Sequence, residues 1–404
     1  MKKQWKLSAT MLNDFKTCPY RTYLKYVCGI IPEEETDALR MGTNWHRVLE
    51  IISMKPGSVC PDCCKTQKQP DCPLCEGTDI LPDDTNELIA RVLNAAYADK
   101  PDSKTTVEWE AERAILLYSA IGYLWHWEDD EFEVVAEEVP FKIPLLSPTS
   151  GRKLPNVAIT GKIDKISRSP LGIYYIDEHK STGKDISPDS RYWSHLKLDL
   201  QTTLYPYAAR RLQLNGDLED YGITADDPLI SGVRYDAWHK PGIRPKKLTQ
   251  AESKKFVETG EYMDQEFKVT GTIPGNIRVD EELAEIELGK KEGTFAIRET
   301  ASMYGARVLA DIVADPNKFF YRKEVGRTDA DIEKFERELY SMYQAIKFID
   351  RNNGWWHCEK QCEATYRCPY TEICYNGLDV TENVPNGFIN MYEKGKYYDC
   401  KRNY

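Results

Sequence analysis

The 404-residue chain carries 54 Lys and Arg against 65 Asp and Glu, a formal net charge of −11, with 41% hydrophobic and 29% charged residues. That balance fits a globular protein of one large elaborated domain or two conventional ones. It excludes a surface coated in basic nucleic-acid-binding residues, though not a local basic groove.

No run of eighteen apolar residues occurs, and the opening MKKQWKLSATML has no apolar signal core. Neither a membrane span nor a secretory leader is expected, and the cytoplasm is the expected location. In chain order, Ser8 is placed to cap a helix carrying Met11, Leu12 and Phe15, which Pro19 kinks or ends beside Cys18. Met41, Trp45, Val48, Leu49 and Ile52 predict a second helix bearing His46.

Residues 56–84 break the periodicity with Pro, Gly, Asp and five cysteines, and read as an insert with its own stabilising device. Cys60-x2-Cys63 and Cys72-x2-Cys75 form paired knuckles, each offering two sulfurs to a tetrahedral ion, so structural Zn²⁺ is the expected ligand. Cys64 reads as a bystander. Stabilising a core-poor insert is the expected role of the site.

Helical patterns resume at 85–99 and 105–128. Strand patterns follow at 133–143, 156–167 and 171–180, the last two joined by the turn Ser169-Pro-Leu-Gly172 into a hairpin. A helix is predicted over 194–213 and a strand over 230–238, and 297–351 reads as mostly helical. Residues 240–294 are charged, punctuated by Pro and Gly, and give no assignment. The expected fold is α/β, a central mixed sheet flanked by helices with a small metal-bearing insert.

Within the hairpin, side chains alternate faces. Thr160, Lys162 and Asp164 share one face, and Glu178 and Lys180 are neighbours on one side of the next strand, ~6.5–7 Å apart. A register that sets Asp164 opposite lets two carboxylates share Mg²⁺ or Mn²⁺, hard cations that take oxygen ligands and keep positions for water and phosphate. Lys180 is then placed to orient or deprotonate the attacking water, or to offset charge on the phosphate. Asp177 points with Tyr175 and His179, away from Lys180. An isolated pattern of this kind also fits a hairpin exposing charge to solvent.

Gly42-x3-His46, Gly161-Lys-Ile-Asp164, Glu178-His-Lys180 and Gln201-x3-Tyr205 occur in that order. The set resembles the PD-(D/E)XK nuclease superfamily, and within it the RecB-like exonucleases, including the CRISPR-associated and AddB-type ones. The resemblance implies a restriction-endonuclease-like core. It implies His46, Asp164 and Glu178 as metal ligands, Lys180 as catalytic, and Gln201 and Tyr205 as support for the site and for DNA, single-stranded or at duplex ends. Glu138 is a candidate further acidic ligand.

Residues 358–374 hold four cysteines. Their spacing alone fits a Cys₄ zinc site or an iron–sulfur cluster. The resemblance implies a [4Fe–4S] cluster on Cys18, Cys362, Cys368 and Cys374, with Cys358 as the alternative to Cys362, stapling the two ends of the segment around the core. The implied organisation is an N-terminal helical part (1–55), the zinc insert (56–84), the nuclease core (85–350) and the C-terminal cysteine cluster and tail (351–404).

His239-Lys240-Pro-Gly-Ile-Arg244-Pro-Lys246-Lys247 concentrates positive charge suited to phosphates, or to a solvated loop, and Tyr235 and Trp238 beside it suit base stacking or the core. No G-x4-G-K-[ST] occurs, so this chain is not itself a helicase motor, and a helicase or recombination protein is a candidate partner.

Overall fold

The computed structural model describes residues 4–65, 70–272, 276–364 and 367–392; the polar tail beyond 392 and the side chain of Cys64 lie outside the described residues. Helix α1 (Ala9–Thr17) opens where the Ser8 hydroxyl accepts from the Met11 N–H at 3.2 Å. It stops at Cys18, whose backbone is extended, and Pro19 starts the next turn, where a missing N–H breaks no helical bond. Helix α2 (Asp37–Ser53), capped by Thr36, buries Trp45, Val48, Leu49 and Ile51. Helices α3 (Thr85–Ala96) and α4 (Thr106–His126) follow, the latter with a Thr105/Glu108 capping box.

Six strands make one mixed sheet: β1 (Trp5–Leu7), β2 (Glu133–Leu146), β3 (Lys153–Arg168), β4 (Tyr174–Thr182), β5 (Gly232–His239) and β6 (Phe320–Gly326). Its order is β1–β3–β4–β5–β6, with β2 on the other edge of β3. The edge of β3 away from β2 is shared by two partners. β1 pairs in parallel with Val157–Ile159, and β4 pairs antiparallel with Lys165–Arg168. Residues 160–164 therefore have no strand partner on that edge among the described residues, and the sheet is split there.

Helices α5 (Gln201–Leu214), α6 (Ala301–Ala314) and α7 (Asp329–Arg351) complete the layers. One face of the sheet packs on α1, α5 and α7 through Ile163, Ile176, Leu204 and Tyr343. The other packs on α2, α3, α4 and α6 through Trp45, Trp238, Ile312 and Phe320. The four insert cysteines and Leu74 are buried in this second core, so the insert is continuous with the layer that carries His46. Farther along, Ile30–Pro32 pairs antiparallel with Phe388–Asn390, and the Tyr370 hydroxyl donates to the Ile30 carbonyl at 2.9 Å.

One expectation is corrected and two are sharpened. The stretch 297–351 is mostly helical as expected, but the strand β6 lies between α6 and α7, held antiparallel against Gly232–Trp238 of β5. The helix expected over 194–213 is a 3₁₀ turn (Arg191–Lys197) and then α5, because the Asp199 carboxylate accepts from the Thr202 N–H at 2.9 Å and restarts the helix. Of the two alternatives for Tyr235 and Trp238 the structure selects the core: they are 4% and 1% exposed, and Trp238 stacks on Trp45 with ring centroids 4.2 Å apart.

The unassigned segment forms a helix (Gln250–Thr259) and several hairpins of two- and three-residue strands around Phe256, Ile277 and Ile297. Among the described residues no helix is long and apolar enough to cross a membrane.

Gly161 sits on β3 under the Phe141 ring, where an added Cβ meets Phe141 Cζ at 2.4 Å. Gly161→Ala is expected to destabilise the protein by about 1–3 kcal/mol through overpacking, read as a lower urea midpoint. An unchanged midpoint shows that the ring can move aside.

Candidate active site and cysteine centres

The β3–β4 pairing ends at Lys165–Asp177, and one step further along the same register Asp164 faces Glu178. The two strands part at that step, so both carboxylates border the split rather than a ladder. Side-chain alternation then sorts the hairpin between the two layers.

Asp177 turns to the α2 side, 3% exposed, where it takes the Arg234 guanidinium at 2.6 and 2.8 Å and the Ser167 hydroxyl at 3.0 Å. Glu178 turns to the α5 side and is 1% exposed. Its Oε1 accepts from Lys180 Nζ and from Gln201 Nε2 at 2.8 Å, while Gln201 Oε1 accepts from Lys180 Nζ at 3.0 Å. Gln201 thus closes a three-membered ring that fixes the lysine and the carboxylate together. Tyr205, one turn on, packs edge-on against Phe141 at 5.9 Å.

His46 reaches the split from the opposite layer, with Nδ1 3.4 Å from Asp164 Oδ2. A small cavity there is lined by His46, Glu50, Glu137, Glu138, Asp164 and His179. Glu138 stands at a positive φ of 51° and is ion-paired to Lys162. Glu50 and Glu137 escaped the sequence reading; His46-x3-Glu50 on one helix face was the signal available for the first. Gly42, by contrast, is not required by sterics, since a Cβ there makes ordinary contact at 3.5 Å with Ser181 Oγ.

The electrostatics favour a cation in the split. Asp164 Oδ2 and Glu178 Oε2 are buried without a hydrogen-bond partner among the described residues. Leaving such oxygens unmatched is costly, and a hard divalent ion is a group that could satisfy them. Burial, aided by the charge on Asp164, pushes Glu178 up to about 7 against the pull of Lys180. Burial draws His46 down to about 4 despite Asp164, leaving a neutral imidazole at neutral pH, the form that ligates metals. Lys180, half-buried, is raised by Glu178 against the cost of desolvation and so keeps its proton.

The insert is the most closed centre. Cys60, Cys63, Cys72 and Cys75 are all buried, and among the described residues theirs are the donor atoms that converge within 4.8 Å of one another. The Sγ atoms of Cys60 and Cys72 are 3.8 Å apart and those of Cys63 and Cys75 3.4 Å. A tetrahedral zinc with ~2.3 Å bonds to sulfur holds its ligands ~3.8 Å apart, so the quartet fits a single ion. Burial pushes Cys60 up to about 12, whereas Cys75, despite burial, is drawn down to about 7 by the Cys63 thiol and by backbone contacts at Asp79 and Gly77.

A second cysteine centre lies between the chain segments stapled by the Ile30–Pro32 ladder. Cys18, Cys358, Cys362, Cys368 and Cys374 line one cavity of about 20 Å³. Cys374 is pushed up to about 11 by burial and then by Cys368, Cys362 and Cys18, whereas Cys358 is raised by burial and by Cys18. Cys358 also approaches Cys18 directly, its N–H donating to the Cys18 Sγ at 3.4 Å. An iron–sulfur cubane spaces its thiolates more widely than a lone ion does, which this looser set accommodates.

A split mixed sheet with a carboxylate on each lip and a lysine two residues beyond the second defines a class of phosphodiester-cutting folds. A family model of the PD-(D/E)XK nuclease superfamily matches residues 6–375, and the chain belongs to that superfamily. It is also similar to an ATP-dependent helicase/deoxyribonuclease subunit from Clostridium novyi (strain NT), at 22% identity over 377 residues. That match covers 86% of this chain and 30% of the relative, so the chain spans about a third of the relative's length.

Glu178 supplies a pH test. Its folded value of about 7 lies above the ordinary 4.5, so the folded state binds the proton more tightly than the unfolded one. Glu178 therefore costs stability progressively as pH rises from 4.5 through about 7. Without added divalent ions, the melting temperature of Glu178→Gln relative to wild type is expected to climb between pH 5 and pH 8. Parallel pH profiles for the two proteins contradict this.

Proposed function

We propose that this protein is a divalent-metal-dependent deoxyribonuclease, an exonuclease acting at DNA ends in recombination, repair or phage DNA processing. The observation that carries the reading is the pair of orphaned buried oxygens on Asp164 and Glu178, set on the two lips of the sheet split beside a fixed lysine. His46, Asp164 and Glu178 would hold Mg²⁺ or Mn²⁺. Such an ion, when bound, polarises the phosphate and acidifies water.

The chain's own groups do the rest. Lys180 stays protonated and offsets charge gathering on the phosphate, which favours that role over acting as a base. Gln201 holds the Lys180 ammonium and the Glu178 carboxylate in one orientation, so neither must reorganise during reaction. Tyr205 backs the helix that presents Gln201.

Cleavage of labelled linear DNA with Mn²⁺ or Mg²⁺ tests the reading. Lys180→Ala and Asp164→Ala are expected to lose about 10²-fold or more, while Asp177→Asn, on the other face, lowers stability instead. Equal cleavage by wild type and both alanine variants removes these residues from the chemistry.

A second reading has its own observation. His46, Asp164 and Glu178 do not converge as closely as the insert cysteines do, as in a non-catalytic nucleic-acid-binding or assembly subunit that keeps the scaffold. DNA binding without cleavage under any divalent ion selects it. In either case a helicase or recombination protein is a fitting partner, supported by the relative's name and by the lack of a phosphate-binding loop in this chain.

The cysteine centres are assigned to zinc (Cys60, Cys63, Cys72, Cys75) and to a [4Fe–4S] cluster (Cys18, Cys362, Cys368, Cys374). After anaerobic purification, Cys18→Ser is expected to lose iron and sulfide and keep zinc, Cys72→Ser the reverse, and Cys358→Ser to keep both. Wild type without iron refutes the cluster.

A further inference from the structure

A cleft of about 650 Å³ opens beside the catalytic ring, between the start of α5 and the length of α7. Lys16 from the end of α1, Lys197 from the 3₁₀ turn and Arg337 from α7 stand exposed around it, and none is in an ion pair among the described residues. The acids that line the same cleft are engaged. Asp331 accepts from the N–H and hydroxyl of Thr328, Glu338 pairs with Lys334 at 3.7 Å, and Asp199 caps Thr202. Five cations (Lys16, Lys197, Arg327, Lys334 and Arg337) line the cleft against three carboxylates, so in a chain of net charge −11 it is a locally positive track, with the exposed Lys16, Lys197 and Arg337 drawn from three separate elements.

The lining between the cations is apolar. Phe335 and Met342 contribute to it, and Leu198 stands 83% exposed. The cleft is a neighbour of the site, separated from it by the first turn of α5. Leu200 and Thr203 line it and flank Gln201 on α5, and the charge of Asp199 reaches both Glu178 and Lys180.

We infer that this cleft is the track for one unpaired nucleic-acid strand, its phosphates on Lys16, Lys197 and Arg337 and its bases against Leu198 and Met342. The inference rests on the nuclease reading and adds the form of the substrate and its path. Cations alone would suit a duplex equally. The exposed Leu198 beside the cations favours bases whose faces are not already stacked in a helix. Phosphate contacts of this kind hold the strand in place without reading its sequence.

The test is binding of a fluorescent single-stranded oligodeoxynucleotide to the whole protein without divalent ions, followed across salt concentrations. The side chains of Lys16, Lys197 and Arg337 are exposed, so their triple alanine variant is expected to keep the wild-type melting temperature. Its affinity should fall at least tenfold, with a log–log salt slope shallower by ~2, at ~0.7 for each phosphate no longer neutralised. Leu198→Ser should weaken the single strand without changing the slope.

Wild-type affinity and slope in the triple variant overturn the track, as does tighter binding of the matching duplex than of the single strand. Cleavage that depends on Lys180 while binding ignores the triple variant leaves the nuclease standing and removes the track. Binding that depends on the three cations, with no cleavage under any divalent ion, does the opposite.

Discussion

Everything at the candidate site depends on where two strands stop pairing. β3 and β4 are hydrogen-bonded through Lys165–Asp177 and part at the next step. Had the ladder continued, Asp164 and Glu178 would have been one more cross-strand pair of like charge, a destabilising arrangement. Because it stops, the two carboxylates face an opening that His46 enters from one helix layer and Gln201 from the other. β1 fixes the far end of that opening by occupying Val157–Ile159 and nothing beyond.

The two faces of β4 divide charge by purpose. On the α2 side, Asp177, Arg234, Asp130, Arg322 and Asp236 form a chain of ion pairs in which each carboxylate has a cation. On the α5 side, Glu178 is left with one oxygen unmatched and its proton affinity raised. Residues adjacent in sequence therefore differ in kind: the first holds the sheet to its helices, and the second, although paired to Lys180 through Oε1, keeps its Oε2 unmatched. Structural sites avoid that condition and functional sites keep it.

Much of this was legible beforehand because it rests on period two. Alternation along 171–180 separates Asp177 from Glu178 in the sequence itself, and the apolar stripe of α2 announces the helix bearing His46. What stayed hidden has physical reasons. β1 has three residues, too few to show a period. The hairpins within 261–288 turn on Met263-Asp264 and Asp280-Glu281, all at positive φ, where Asn-Gly is the pair that advertises such a turn. β6 looks like a continuation of helix because the two helices flanking it are strongly patterned and its pairing is entirely long-range. Glu50 and Glu137 gained meaning only when two layers met at the split.

The strand Ile30–Pro32 has a consequence for how the chain matures. Its partner, Phe388–Asn390, and the Tyr370 hydroxyl that seals it are separated from it by most of the chain, 340 residues in the case of Tyr370. During synthesis at ~5–20 residues per second, Ile30 waits in the nascent protein for tens of seconds before its partner exists. The Leu24–Ile30 side of that small core is apolar and unmatched for the whole interval. The later-made segment thus acts as a latch on the earlier-made one, and this part of the fold closes only after the sheet between them has been synthesised.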